Sequence, residues 1–130
     1  TDEDTTREIY LTNGAAYNFT FTVTDSGGLS EMAYRFDPNF MVIESQIPNS
    51  WSYNSSTVVS SANYYWTGDE NNPTTGYVLS GTFRVNGNEE LFNLDLWGYD
   101  FGGEPGNRNY RGKTYRIKVG QYPPLVGPFI

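Results

Sequence analysis

The side chains able to do chemistry in this sequence are few in kind. There is no His and no Cys, which removes imidazole bases, thiol nucleophiles, Ser-His-Asp triads and the usual zinc ligand sets. Paired carboxylates cleaving a glycoside, one as acid and one as base or nucleophile, are the enzyme chemistry left. Glu44, Asp69, Glu70, Asp95, Asp100 and Glu104 supply the carboxylates. Asp95 falls at an outward strand position and Asp100 and Glu104 in a loop, so they read as solvated surface and no catalytic residue is assigned. Hard oxygen ligands of the kind calcium takes occur at Asp25, Asp100 and Glu104, which one end of a sandwich would gather, and in the run Asp69-Glu70-Asn71-Asn72. Neither set has the spacing of a calcium-binding loop, and Asp and Asn are equally good turn residues. A structural calcium is the one cofactor the sequence leaves open.

Aromatic residues are the other chemistry present. Trp97 and Tyr99 alternate with Phe92, Leu94 and Leu96 on one segment, so the two sets point to opposite faces of a strand. Were the Trp97 face exposed, its rings could stack on sugars, with Asn93 and Asp95 as hydroxyl partners and Trp66 as a further ring. The competing expectation is that Trp97 is covered.

The elements that must position these residues are strands. Tyr17, Phe19, Phe21 and Val23 alternate with Asn18, Thr20, Thr22 and Thr24, a half-buried strand by its period of two. Asp25-Ser26-Gly27-Gly28 breaks the run, and Met32, Tyr34 and Phe36 resume it until Asp37-Pro38. A short apolar piece spans Phe40 to Ile43, and two weaker strands are expected around Thr57 to Val59 and Asn63 to Thr67. Leu79, Gly81, Phe83 and Val85 share a face, Asn86-Gly87 follows, and Phe92, Leu94 and Leu96 come next, which predicts a β-hairpin closed by a type I′ turn. Tyr115, Ile117 and Val119 mark a last strand, and Ile9 and Leu11 a first. No segment has helical periodicity. The expectation is an all-β fold, a two-sheet antiparallel β-sandwich of immunoglobulin-like or jelly-roll-like type with about eight or nine strands.

A length of 130 residues suits one domain, expected over residues 1–119. Residues 120–130 carry Pro123, Pro124 and Pro128 and read as a tail or linker. Leu125, Val126, Phe129 and Ile130 give it more apolar surface than an inert linker needs, so an assembly role, a strand completing a neighbour's sheet, is a second expectation. The start, Thr1-Asp2-Glu3-Asp4, reads as the exposed end of a mature or excised module.

The net charge of −7 argues against nucleic acid and anionic membrane as partners, and no apolar run is long enough for a spanning helix. Charge is unevenly placed: Arg108, Arg111, Lys113, Arg116 and Lys118 are five of the eight basic residues, while Asp2, Glu3, Asp4 and Glu8 cluster at the other end. The two ends can attract each other within one molecule, on adjacent strands, or between molecules. Asn18-Phe19-Thr20 and Asn54-Ser55-Ser56 match the glycosylation acceptor pattern, making Asn18 and Asn54 candidates in an exported chain.

The run Tyr17 to Pro38, the following Phe40-Met41-Val42-Ile43 and the later Gly81-Thr82-Phe83-Arg84-Val85 resemble two kinds of bacterial and archaeal cell-surface β-sandwich. One is the immunoglobulin-like module, whose strands end in Asp-Ser-Gly and Asp-x-Gly-Gly turns, here Asp25-Ser26-Gly27 and Asp100-Phe101-Gly102-Gly103. The other is the cohesin-like module, in which a strand ending Tyr-Asp-Pro precedes a short apolar strand and a later strand reads Thr-Phe-x-Val. Arg35-Phe36-Asp37-Pro38 and Thr82-Phe83-Arg84-Val85 are similar to that pattern, with Phe36 and Arg35 as departures. Both resemblances imply a non-catalytic part of a surface or secreted protein. The expected function is adhesion or assembly through protein contacts at an extracellular location, with two alternatives: a self-assembling filament or coat subunit joined by donated strands, and a carbohydrate-binding module.

Overall fold

A computed structural model describes residues 3–56, 58–101 and 110–121, with side chains from Thr6 onward except those of Tyr110 and Arg111. Nine strands follow in chain order: β1 (Glu3–Thr12), β2 (Ala16–Thr24), β3 (Leu29–Phe36), β4 (Met41–Ile47), β5 (Ser52–Ser56), β6 (Ser61–Thr67), β7 (Gly76–Val85), β8 (Glu90–Asp100) and β9 (Tyr110–Gly120). They form a six-stranded sheet, β1-β9-β8-β3-β6-β5, and a three-stranded sheet, β2-β7-β4. The protein is an all-β two-sheet sandwich, as the alternating pattern predicts.

Alternation works because each sheet has one face to bury. On β2, Tyr17, Phe19 and Phe21 are buried while Asn18, Thr22 and Thr24 are exposed. On β8, Phe92, Leu94 and Leu96 are buried beneath an outward row that begins with Leu91 and Asn93. On the inner face of the small sheet, Phe83 meets Tyr17 at 5.8 Å and Phe19 at 6.1 Å between ring centroids, and Phe19 crosses to the large sheet to meet Tyr34 edge-on at 5.9 Å. Two polar contacts are set into this aromatic core. The Tyr34 hydroxyl donates to Gln46, and the Trp51 indole N–H donates to the Tyr77 hydroxyl at 2.8 Å, so the polar tips of these two buried rings are satisfied.

Four sequence expectations are corrected. β7 and β8 are not a hairpin: β7 lies between β2 and β4 in one sheet and β8 between β3 and β9 in the other. The Asn86-Gly87 segment is a crossing between layers, with the Asn86 amide donating to the Phe40 carbonyl at 2.9 Å and the Gly87 amide to Asn13 Oδ1 at 3.0 Å. The pairing is not wholly antiparallel, since β1 runs parallel to β9. The strand expected around Thr57 to Val59 lies earlier, at Ser52–Ser56, and Val58, at 91% exposure, sits in the turn before β6. β4 extends past Ile43 to Ile47, with a register shift between Ile43 and Ser45.

The β1–β9 pair also accounts for the uneven charge. Its register sets Glu3 beside Arg111, Asp4 beside Gly112, Thr5 beside Lys113 and Glu8 beside Arg116. Of these pairs, Glu8 and Arg116 set opposite charges side by side on adjacent strands of one molecule, where they are mildly favourable. The strand expected last ends at Gly120. Leu125, Val126, Phe129 and Ile130 lie outside the described residues.

Candidate binding face

The outward side of the six-stranded sheet collects the sequence's candidate residues in rows that the strand register fixes. One row runs Ser52, Tyr65, Ala33, Trp97, Gly112 across β5, β6, β3, β8 and β9. The next runs Asn54, Asn63, Arg35, Asp95, Thr114, Thr6. Beyond it lie Asn93, Arg116 and Glu8, and then Leu91, Lys118 and Tyr10. Trp97, Tyr99, Asn93 and Asp95 thus share one face, as their spacing predicts.

Trp66 does not join them. It pairs with Met32, whose side chain is fully buried, and its ring packs on Tyr77 of the opposite sheet at 4.8 Å. The reason is parity: β6 alternates Tyr65 outward with Tyr64 and Trp66 inward, and a run with three consecutive rings hides that choice from the sequence.

The centre of the face is an interlocked polar cluster. Trp97 is half-buried, its indole N–H donating to Glu31 at 3.2 Å. The Arg35 guanidinium lies 5.5 Å from the centre of the Trp97 ring and reaches Asp95 at 3.3 Å, while the Thr114 hydroxyl donates to the other Asp95 oxygen at 2.8 Å. Glu31 and Thr114 carry no signal in the sequence, and Arg35 enters it only as a departure from the cohesin-like pattern. The signal that would have found Arg35 is its place as the lone cation alternating with Tyr34 and Phe36. A guanidinium over an indole is attractive through the ring quadrupole, and it occupies the ring face on which a sugar would stack.

At the edge of the face, Leu91 and Tyr10 are 53% and 50% exposed, on either side of Lys118. The Lys118 ammonium pairs with Glu89 at 3.1 Å. The row beside it is the charged one, Asn93, Arg116 and Glu8.

The remaining candidates lie elsewhere. Asp25 and Asp100 stand at one end of the sandwich, on either side of Gly28: the Gly28 amide donates to the Asp25 carbonyl at 3.2 Å, and the Phe101 amide to the Gly28 carbonyl at 3.3 Å. The Asp25 carboxylate accepts from the Gly27 amide, and the Asp69 carboxylate from the Asn71 amide, each at 2.9 Å, the self-bonded turns that Asp favours. Among the described residues, no group of three or more acidic side chains is placed to hold a metal ion. Glu104 lies outside those residues. Asn18 is exposed on the outer face of the small sheet, where its side-chain oxygen accepts from Thr82 at 3.2 Å, and Asn54 is exposed on the edge strand β5. Glu44 forms an ion pair with Arg84 at 2.9 Å on the small sheet, whereas Asp95 lies on the large one.

No helix among the described residues is long and apolar enough to cross a membrane. No family model and no curated protein sequence matches the chain. Solved structures similar to it include a non-cellulosomal cohesin from the hyperthermophilic archaeon Archaeoglobus fulgidus, with a TM-score of 0.42 and 15% identity over 88% of this chain and 86% of that one. A cohesin module from a family 33 glycoside hydrolase of Clostridium perfringens matches with a TM-score of 0.43 and 14% identity, over 85% and 90% of the two chains. Amebosin matches with a TM-score of 0.35 and 11% identity, over 92% and 98%.

Proposed function

We propose that this chain is a non-catalytic extracellular module that binds a protein through the outward face of its six-stranded sheet. The observation that supports this most is the paired rows at the β8–β9–β1 edge: exposed Leu91 and Tyr10 flank Lys118, and Asn93, Arg116 and Glu8 lie directly alongside. Apolar anchors including Tyr, set beside Arg and surrounded by polar groups, are the composition of a protein interface rather than of a catalytic cleft. The carbohydrate-binding alternative is less favoured because the central indole has its N–H bonded to Glu31 and a ring face under Arg35. The filament alternative rests on residues 120–130 and stays a reading of the sequence.

The test compares the wild-type chain with a Tyr10→Glu/Leu91→Glu double variant in affinity capture from the secreted and surface fractions of the source organism. The proposal expects one protein retained by the wild type and lost with the variant. Retention on polysaccharide gels that disappears in Trp97→Ala would replace it with the carbohydrate reading. Concentration-dependent polymers in light scattering, abolished by deleting residues 120–130, would replace it with the filament reading.

A further inference from the structure

The sequence contains two Asn-Gly dipeptides, Asn13-Gly14 and Asn86-Gly87, and the fold brings them into contact. The Gly87 amide donates to Asn13 Oδ1 at 3.0 Å, the Gly14 amide donates to the Val85 carbonyl at 2.8 Å, and the Asn13 amide donates to the Gly120 carbonyl at 2.7 Å.

Asn followed by Gly is the dipeptide in which the next residue's backbone nitrogen most readily reaches the Asn carboxamide, because glycine has no side chain in the way. The nitrogen, losing its proton, attacks the side-chain carbon. A bond forms between them, ammonia leaves with the former carboxamide nitrogen, and a five-membered succinimide remains. Water opens the ring at either carbonyl, giving Asp or isoaspartate, so the net change is water in and ammonia out. The step needs no other reactant.

In each dipeptide the attacking nitrogen is the Gly amide, and the two are held differently. That of Gly14 is bonded to a backbone carbonyl at the end of β7 and cannot be released without opening the sheet crossing. That of Gly87 is bonded to a single side chain, which one rotamer change of Asn13 withdraws. Asn86 itself is exposed, and Gly87 has φ +153° with Glu90 and Val119 close around it, a conformation that suits no other residue at that position.

We propose that Asn86 is a latent self-modification site, converted to Asp or isoaspartate by attack of its own neighbour, and that Asn13 is the guard that holds the Gly87 amide away from that reaction. Conversion would place a new carboxylate beside Glu89 and Glu90 at the crossing between sheets. The isoaspartate form would also lengthen the backbone there by one carbon, next to the Asn86–Phe40 and Lys118–Glu89 contacts.

The experiment is peptide mapping by mass spectrometry after incubation at mildly alkaline pH, on the wild type, Asn13→Ala and Asn13→Asp. Asn13→Ala is expected to convert Asn86 roughly fivefold faster, the factor that one net hydrogen bond makes in a rate. Asn13→Asp, whose carboxylate still accepts from Gly87, is expected to stay at the wild-type rate. A second measurement, needing no variant, compares Asn86 in the native wild type with the same chain in denaturant, and slower native conversion is expected. An Asn13→Ala protein with unchanged β-sheet circular dichroism and a wild-type rate overturns the proposal, as does a native rate equal to the denatured one.

Discussion

The Arg35 guanidinium lies over the Trp97 indole, 5.5 Å from the ring centre, on the outward face of the large sheet. The two residues stand on adjacent strands, two residues out of register and so on the same face, with Asp95 opposite Arg35 and Ala33 opposite Trp97. The same guanidinium reaches the Asp95 carboxylate at 3.3 Å. An aromatic residue that reads from sequence as a binding platform is thereby built into the protein's own surface.

Replacing Arg35 with Ala removes a cation–π contact at an exposed site, worth about 0.5–1 kcal/mol, and a solvent-exposed ion pair that adds little. Urea unfolding of Arg35→Ala should therefore show a loss of no more than about 1.5 kcal/mol, with the fluorescence of Trp97 shifted toward that of a solvent-facing indole. A loss several times larger would mean that Arg35 holds more of the sheet than its contacts indicate.

Phe83 is fully buried between Tyr17 and Phe19. Phe83→Ala should cost about 3–5 kcal/mol through lost transfer energy and the cavity left behind. Chemical denaturation followed by far-ultraviolet circular dichroism measures it, and a cost near that of a surface substitution would contradict the placement of the core.

Gly68 sits where a Cβ would lie 2.0 Å from the Leu29 carbonyl oxygen, a backbone atom that cannot step aside, and 2.9 Å from Trp66. Gly68→Ala should destabilise by at least the 1–3 kcal/mol typical of overpacking, about the cost of displacing a strand locally. Gly76, with nothing nearer than Thr24 at 3.7 Å, is the matched control, and Gly76→Ala should stay within about 0.5 kcal/mol. Equal effects in the two variants would disprove the close approach of Gly68 to β3.

Burial raises the Tyr34 hydroxyl well above the ordinary tyrosine value of 10.0, with Tyr64 beside it adding to the effect. Tyr64 and Tyr115 are raised too, in each case chiefly by burial. A phenol whose folded value is raised contributes stability that is fully present below pH 10 and is lost as pH climbs past it, because the unfolded chain ionises first. The urea midpoint should be level up to about pH 10 and fall above it. Tyr34→Phe should flatten part of that fall, and an unchanged slope in that variant would exclude Tyr34 as a source.

Much of the architecture is legible in the sequence, because a period of two reports directly which side chains face the core. Tyr17, Phe19 and Phe21 on β2 and Phe92, Leu94 and Leu96 on β8 are buried as their spacing requires. The absence of His and Cys narrows the possible chemistry by composition alone. What alternation cannot report is the lateral partner of a strand. Two successive strands with matching apolar faces can pair edge to edge or face each other across a core, and the residues between them look alike in either case. Asn86-Gly87 therefore signals a hairpin, yet β7 is captured by β2 and β4 and β8 by β3 and β9. The parity of β6, which turns Trp66 inward, and the parallel pairing of β1 with β9 were decided in the same way, by register with distant strands. Local pattern fixes which face of a strand is buried; only long-range packing fixes which strand lies beside it, and with it which of these residues meet on one surface.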